Sequence, residues 1–159
     1  MVQRTFRALL SLVCMAALCG SLHAQAGKTI TVRVLDAKTG QPVADSNLLV
    51  RINEQDAMHN DWVRQKDDGT AEVKISADAS VLSVQATYDN SMEIYINCDA
   101  GKQKDTSSKH WYSVAEILTS GVVAPNECGK QKDVDKIRAT AKPGEFVFFV
   151  RKRSWREQD

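Results

Sequence analysis

Downstream of residue 26 the chain alternates apolar and polar positions in short runs separated by turn formers. In TITVRV, Ile30, Val32 and Val34 fall on one side and Thr29, Thr31 and Arg33 on the other. A period of two places the first set on one face of a strand, so each such run predicts a strand with one face buried. NLLVRI repeats the pattern with Leu48, Val50 and Ile52, AEVKI with Ala71, Val73 and Ile75, and VLSVQATY with Leu82, Val84, Ala86 and Tyr88. MEIYIN offers a further strand through Ile94 and Ile96. Two more are expected at KIRATA, through Ile137, Ala139 and Ala141, and at EFVFFVRK, through Phe146, Phe148 and Val150. Val147 and Phe149 on the opposite face of that last run are also apolar and need a cover.

The joints carry turn chemistry. Thr39-Gly40-Gln41-Pro42 combines a residue free to take positive φ with one whose φ is fixed, Asp68-Gly69 suits a hairpin turn, and Pro143-Gly144 suits the centre of a type II turn. One segment breaks the rhythm: SVAEILTSG starts at Ser113 with Glu116 three residues on, a capping box, and stops at Gly121 with Pro125 beyond. It predicts a short helix, which is the expected cover for Val147 and Phe149. About seven short strands at this spacing, with such turns between them, predict an all-β sandwich.

The first 26 residues are different. Arg4 and Arg7 lead an apolar run from Ala8 to Leu22, which closes on Ala24-Gln25-Ala26, the order of a secretory signal. The run falls short of the ~20 apolar residues that span a bilayer, and no later stretch approaches that length. The expectation is cleavage near Ala26, a secreted or periplasmic location, no membrane span, and a single domain over residues 27–159; an uncleaved anchor is the competing reading. Cys14 and Cys19 would leave with the signal, so Cys98 and Cys128 would meet an oxidising compartment as a pair. There a structural disulfide is favoured over a metal or redox site, since no CxxC spacing is present. Closing a loop of about 30 residues is worth roughly 3–4 kcal/mol in the chain-entropy picture. The helix lies inside that loop, whose Asp99–Lys109 portion is polar and the least strand-like part of the chain.

Charge removes one class of function. The chain has 21 basic and 20 acidic residues, and losing Arg4 and Arg7 moves the net charge from +1 to about −1. A dedicated nucleic-acid binder carries a basic excess, so no nucleic-acid partner is expected.

VRVLDAKTGQPVADSNLLV followed by KDDGTAEVKI resembles the start of carboxypeptidase regulatory-like domains. Val34, Asp36, Thr39, Gly40, Pro42 and Val43 carry the first part of the resemblance and Asp68 and Gly69 the second, over roughly residues 29–90. The resemblance implies a prealbumin-like (transthyretin-like, Ig-like) β-sandwich and a role in folding or interaction, without catalysis. Residues 97–135 match no pattern of that family. The implied partner is an extracytoplasmic protein or glycan, with no cofactor. On this reading DAKTGQPVAD is punctuation between strands, with ligand binding as the alternative.

The remaining candidates for chemistry are few. Asp56, His59 and Asp61 group oxygen and nitrogen donors as candidate metal ligands, against the plainer reading of a solvated loop. An uncatalogued hydrolase or metal-dependent site around His59 and His110 is the functional alternative. The fold's known enzyme family, the hydroxyisourate hydrolases, carries a C-terminal Y-R-G-S signature, whereas the last strand here reads FVFFVRKRSW. HxxE, GxSxG and Gly-rich phosphate loops are also missing from the sequence. His110, Trp111 and Tyr112 beside the helix start suit either recognition or packing. Arg151, Arg153 and Trp155 suit either an anionic partner or protection of an exposed strand edge.

Overall fold

The computed structural model describes residues 27–53, 61–89, 91–99, 110–128, 137–154 and 157. Among these, nine strands form: β1 (Lys28–Asp36), β2 (Asn47–Ile52), β3 (Asp61–Arg64), β4 (Thr70–Ile75), β5 (Val81–Ala86), β6 (Tyr95–Asn97), β7 (Tyr112–Ser113), β8 (Val122–Val123) and β9 (Glu145–Lys152). The helix α1 (Val114–Thr119) lies between β7 and β8. One sheet has the order β4-β1-β9-β6, with β8 also pairing with β9; the other has the order β3-β2-β5-β7. The architecture is an all-β, sandwich-like arrangement with one short helix.

Alternation set most of the core correctly. Ile30, Val32 and Val34 of β1 and Phe146, Phe148 and Val150 of β9 are buried, and they meet Leu48, Val50, Leu82 and Val84 from the second sheet. β4 adds Ala71, Val73 and Ile75, while Glu72 and Lys74 remain exposed between them. β2 departs from simple alternation, because Leu49 and Arg51 on its opposite face are buried too; Arg51 reaches Gln85 Oε1 at 3.4 Å.

β3 and the two-residue strands β7 and β8 add to the runs read from periodicity. Three expectations need correction. KIRATA is not a strand: residues 137–142 pair with no neighbouring strand, although Ile137, Ala139 and Ala141 keep their alternation and are half-buried. The helix does not cover the second face of β9. Val114 and Ile117 insert into the main core instead, and Val147 and Phe149 are covered by Leu35, Ala37, the Cys98–Cys128 disulfide, Ile137, Ala139 and Ala141. In β6 it is Tyr95 that enters the main core, with Ile96 buried outside it and Ile94 only half-buried; Tyr88 is exposed, bridging to Ile94.

The predicted helix cap and the Pro143-Gly144 turn are present, whereas Asp68-Gly69 turns the chain, with Gly69 N donating to Lys66 O at 3.0 Å, between β3 and β4 of different sheets and closes no paired hairpin. Ser113 Oγ accepts the Glu116 N–H at 3.3 Å and caps α1. Glu145 N donates to Lys142 O at 2.8 Å across Pro143-Gly144, with Gly144 at φ +81, the geometry of a type II turn. β6 also joins the two sheets. It pairs with β9 through its backbone, while the Asn97 side chain accepts from Ala86 N at 3.2 Å and donates to Val84 O at 2.7 Å, extending the edge of β5 beyond its pairing with β7.

Candidate binding cleft

The turn DAKTGQPVAD is built as punctuation and also forms a wall. Asp36 Oδ1 accepts from Lys38 N at 3.0 Å, Thr39 N at 2.8 Å and Thr39 Oγ1 at 2.9 Å, so one carboxylate satisfies the backbone of the reversal. Asp36 N donates to Gln41 O and Gly40 N to Asp36 O, both at 2.8 Å, and Val43 N returns to Val34 O at 3.0 Å. Buried Gln65 anchors the far end of the turn: its Nε2 donates to Val43 O at 3.1 Å and Gly69 O at 2.9 Å, and its Oε1 accepts from Ser46 Oγ.

This turn diverges from β9. β1 and β9 run parallel, and Asp36 opposite Val150 is their last pair; β1 then folds back, while β9 continues to Lys152 against β6. The separation opens a cleft of about 530 Å³. Asp36, Lys38, Pro42, Val43 and Ala44 line one side, and Tyr95, Arg151, Lys152 and Ser154 the other. Arg153 lines a smaller neighbouring cavity of about 120 Å³ with Tyr88, Ile94 and Tyr95.

The cations on the β9 side are held in place. Arg151 donates through both terminal nitrogens to Glu157, at 2.7 Å to Oε2 and 2.8 Å to Oε1, and Arg153 Nε donates to Glu157 O at 2.8 Å. Lys152 lies 3.0 Å from Asp89, pairs with Glu93, and sits 5.9 Å from the Tyr95 ring centroid. Hydrogen bonds to Glu93 and Asp89 push the Lys152 pKa up. Burial raises that of Asp89, but bonds from Ser91, Lys152 and the Glu93 N–H outweigh it and hold the carboxyl at about 2. For Tyr95, burial pushes the phenol pKa up.

Of the residues singled out from sequence, Arg151 and Arg153 lie at these two cavities, whereas Trp155 is outside the described residues. The His110 group does not line the cleft. His110 is exposed, Trp111 is half-buried, and Tyr112 packs 4.7 Å from the Phe146 ring while donating to Asp99 Oδ2 at 2.7 Å. Burial, reinforced by Asp99, pushes the Tyr112 pKa up. Asp56 and His59 are outside the described residues, and Asp61 is exposed at the start of β3. Among the described residues no three His, Cys, Asp or Glu side chains are grouped to hold a metal ion.

Cys98 and Cys128 form the expected disulfide, with Cα atoms 5.0 Å apart. No helix among the described residues is long and apolar enough to cross a membrane. Sequence reasoning missed Tyr95 and Glu157. Tyr95 sits in a strand too short to show a period; Glu157 could have been found as the acid six positions beyond Arg151. No protein-family model, curated protein or solved structure matches this chain.

Proposed function

We propose that this protein is a non-catalytic binding module of the extracytoplasmic space, secreted or periplasmic after cleavage near Ala26. The observation that carries the reading is the cleft between the Asp36–Ala44 turn and the end of β9. Its walls are tied down by hydrogen bonds, since the turn is closed on the Asp36 carboxylate and the opposite wall is paired with β6. Convergent charged groups beside an aromatic and small apolar residues are what a pocket uses to orient a polar ligand. The carboxypeptidase regulatory-like resemblance supports the same role, and its two halves meet at one place: Val34 N donates to Gly69 O at 3.1 Å and Gln65 joins Val43 to Gly69. The disulfide supports an oxidising location.

The test uses protein recovered from the extracytoplasmic fraction of its native host. Titration with a panel of small glycans and short acidic and basic peptides, followed by NMR, should give saturable shifts at Lys38, Tyr95 and Arg151 for at least one ligand. Retention in the cytoplasm with residues 1–26 attached would sink the location. A panel that leaves those three signals unmoved would sink the site.

A further inference from the structure

Glu157 places its carboxylate on Arg151 and Ser154, two residues that line the cleft, as a ligand would. Both terminal nitrogens of Arg151 donate to it, and Ser154 N adds a third hydrogen bond at 2.9 Å to Oε2. The receptor is therefore a guanidinium fork plus a backbone N–H, all on the segment that lines the cleft. A fork of this kind matches a planar, two-oxygen acceptor. On the facing wall Lys38 is exposed, and among the described residues no carboxylate pairs with it. Lys152 is already taken up by Asp89 and Glu93.

We propose that the cleft receives an acidic peptide, whose side-chain carboxylate is anchored by Arg151 and steered by Lys38, and that Glu157 is an internal competitor occupying the anchor until such a peptide displaces it. The proposal rests on the reading of the cleft as a binding site. Displacement is feasible because the Arg151–Glu157 pair is part-exposed, with side chains 29% and 25% accessible, and pairs near water hold weakly. Like replaces like: the incoming carboxylate restores the bonds that Glu157 gives up. A tethered competitor acts at a local concentration of roughly millimolar order, so removing it should tighten a weak external ligand by about three- to tenfold.

The full chain, its Glu157→Gln variant and the Arg151→Gln variant should be titrated with N-acetyl triglutamate amide, its triglutamine counterpart and inorganic phosphate. The expected result is that Glu157→Gln binds triglutamate about three- to tenfold more tightly than the parent chain. Arg151→Gln abolishes that binding, and triglutamine does not bind. A Lys38→Gln variant, altered only on the exposed turn, should weaken triglutamate while keeping the parent melting temperature, which separates loss of the site from loss of the fold. Unchanged or weaker binding by Glu157→Gln overturns the proposal, as does phosphate binding as tightly as triglutamate. If another member of the glycan and peptide panel shifts the cleft signals while triglutamate does not, the acidic-peptide proposal fails and the binding module stands; if no member of that panel shifts them either, both fail.

Discussion

Gly121 and Gly144 form a matched pair for separating backbone strain from steric overlap. Both have positive φ, +78 and +81, a region that costs an L-residue about 1–2 kcal/mol. Their surroundings differ. A Cβ on Gly144 meets nothing within 4 Å, whereas one on Gly121 overlaps the Lys142 carbonyl oxygen and approaches Ala141 Cβ to 2.8 Å. The overlap is with backbone, so relief requires moving residues 141–142 away from the end of α1. That movement also strains the Gly144 N to Ile117 O hydrogen bond of 2.7 Å and the cover over Val147 and Phe149. Gly144→Ala should therefore cost about 1 kcal/mol, because the strain is partly offset by the lower entropy of the unfolded chain. Gly121→Ala adds an overpacking cost of about 1–3 kcal/mol and should lose roughly 2–4 kcal/mol in total. Urea unfolding followed by circular dichroism measures both, with the slope expected to stay constant and the midpoint to move. Losses equal to within about 0.5 kcal/mol would refute the argument, since neighbour overlap is the only difference it uses.

Replacing both Cys98 and Cys128 with Ser should lower stability by roughly 3–4 kcal/mol in the same assay; a loss below about 1 kcal/mol would show that the loop is held by other contacts. Asp89 is depressed from its ordinary 3.8 to about 2, so its contribution is fully present above pH 4 and is lost as pH falls through 2. Acid unfolding of Asp89→Asn should accordingly be flatter across that window, and an unchanged profile would refute the assignment. Gln65→Ala strips partners from Ser46, Val43 and Gly69 together and should cost about 1–3 kcal/mol, measured as a loss in unfolding midpoint. Asn97→Asp keeps an acceptor for Ala86 N but faces Val84 O with no donor; sedimentation should show self-association, and a monodisperse variant would mean that the edge of β5 has another guard.

Much of the sandwich was legible because β1, β4, β5 and β9 are long enough for a period of two to repeat. The turn residues were legible for the same local reason. The face of β6 was not legible because three residues hold no period: Tyr95 joins the main core, Ile96 is buried outside it and Ile94 is only half-buried. KIRATA showed the difference between having a face and having a partner: its small and apolar side chains cover Phe149 without entering a ladder. The helix was located by its cap, but a cap says where a helix begins and nothing about which face of the sheet it meets. The cleft was present in the sequence only as two separate observations, a turn near Asp36 and a basic run after Val150. What joins them is parallel pairing between β1 and β9, a contact across nearly the whole described chain that no local window contains.

The Asn97 bridge ties the chain's lifetime to one functional group. A primary amide stands in for a peptide bond at the margin of β5, offering one donor and one acceptor as the backbone would. Side-chain amides hydrolyse, whereas the peptide they imitate here lasts. Deamidation at this position would exchange the donor for a negative oxygen, and molecules identical in every other atom would acquire an unguarded margin. Chemical ageing would thus act as a slow source of self-association, set by how well two hydrogen bonds shelter a single side chain from water.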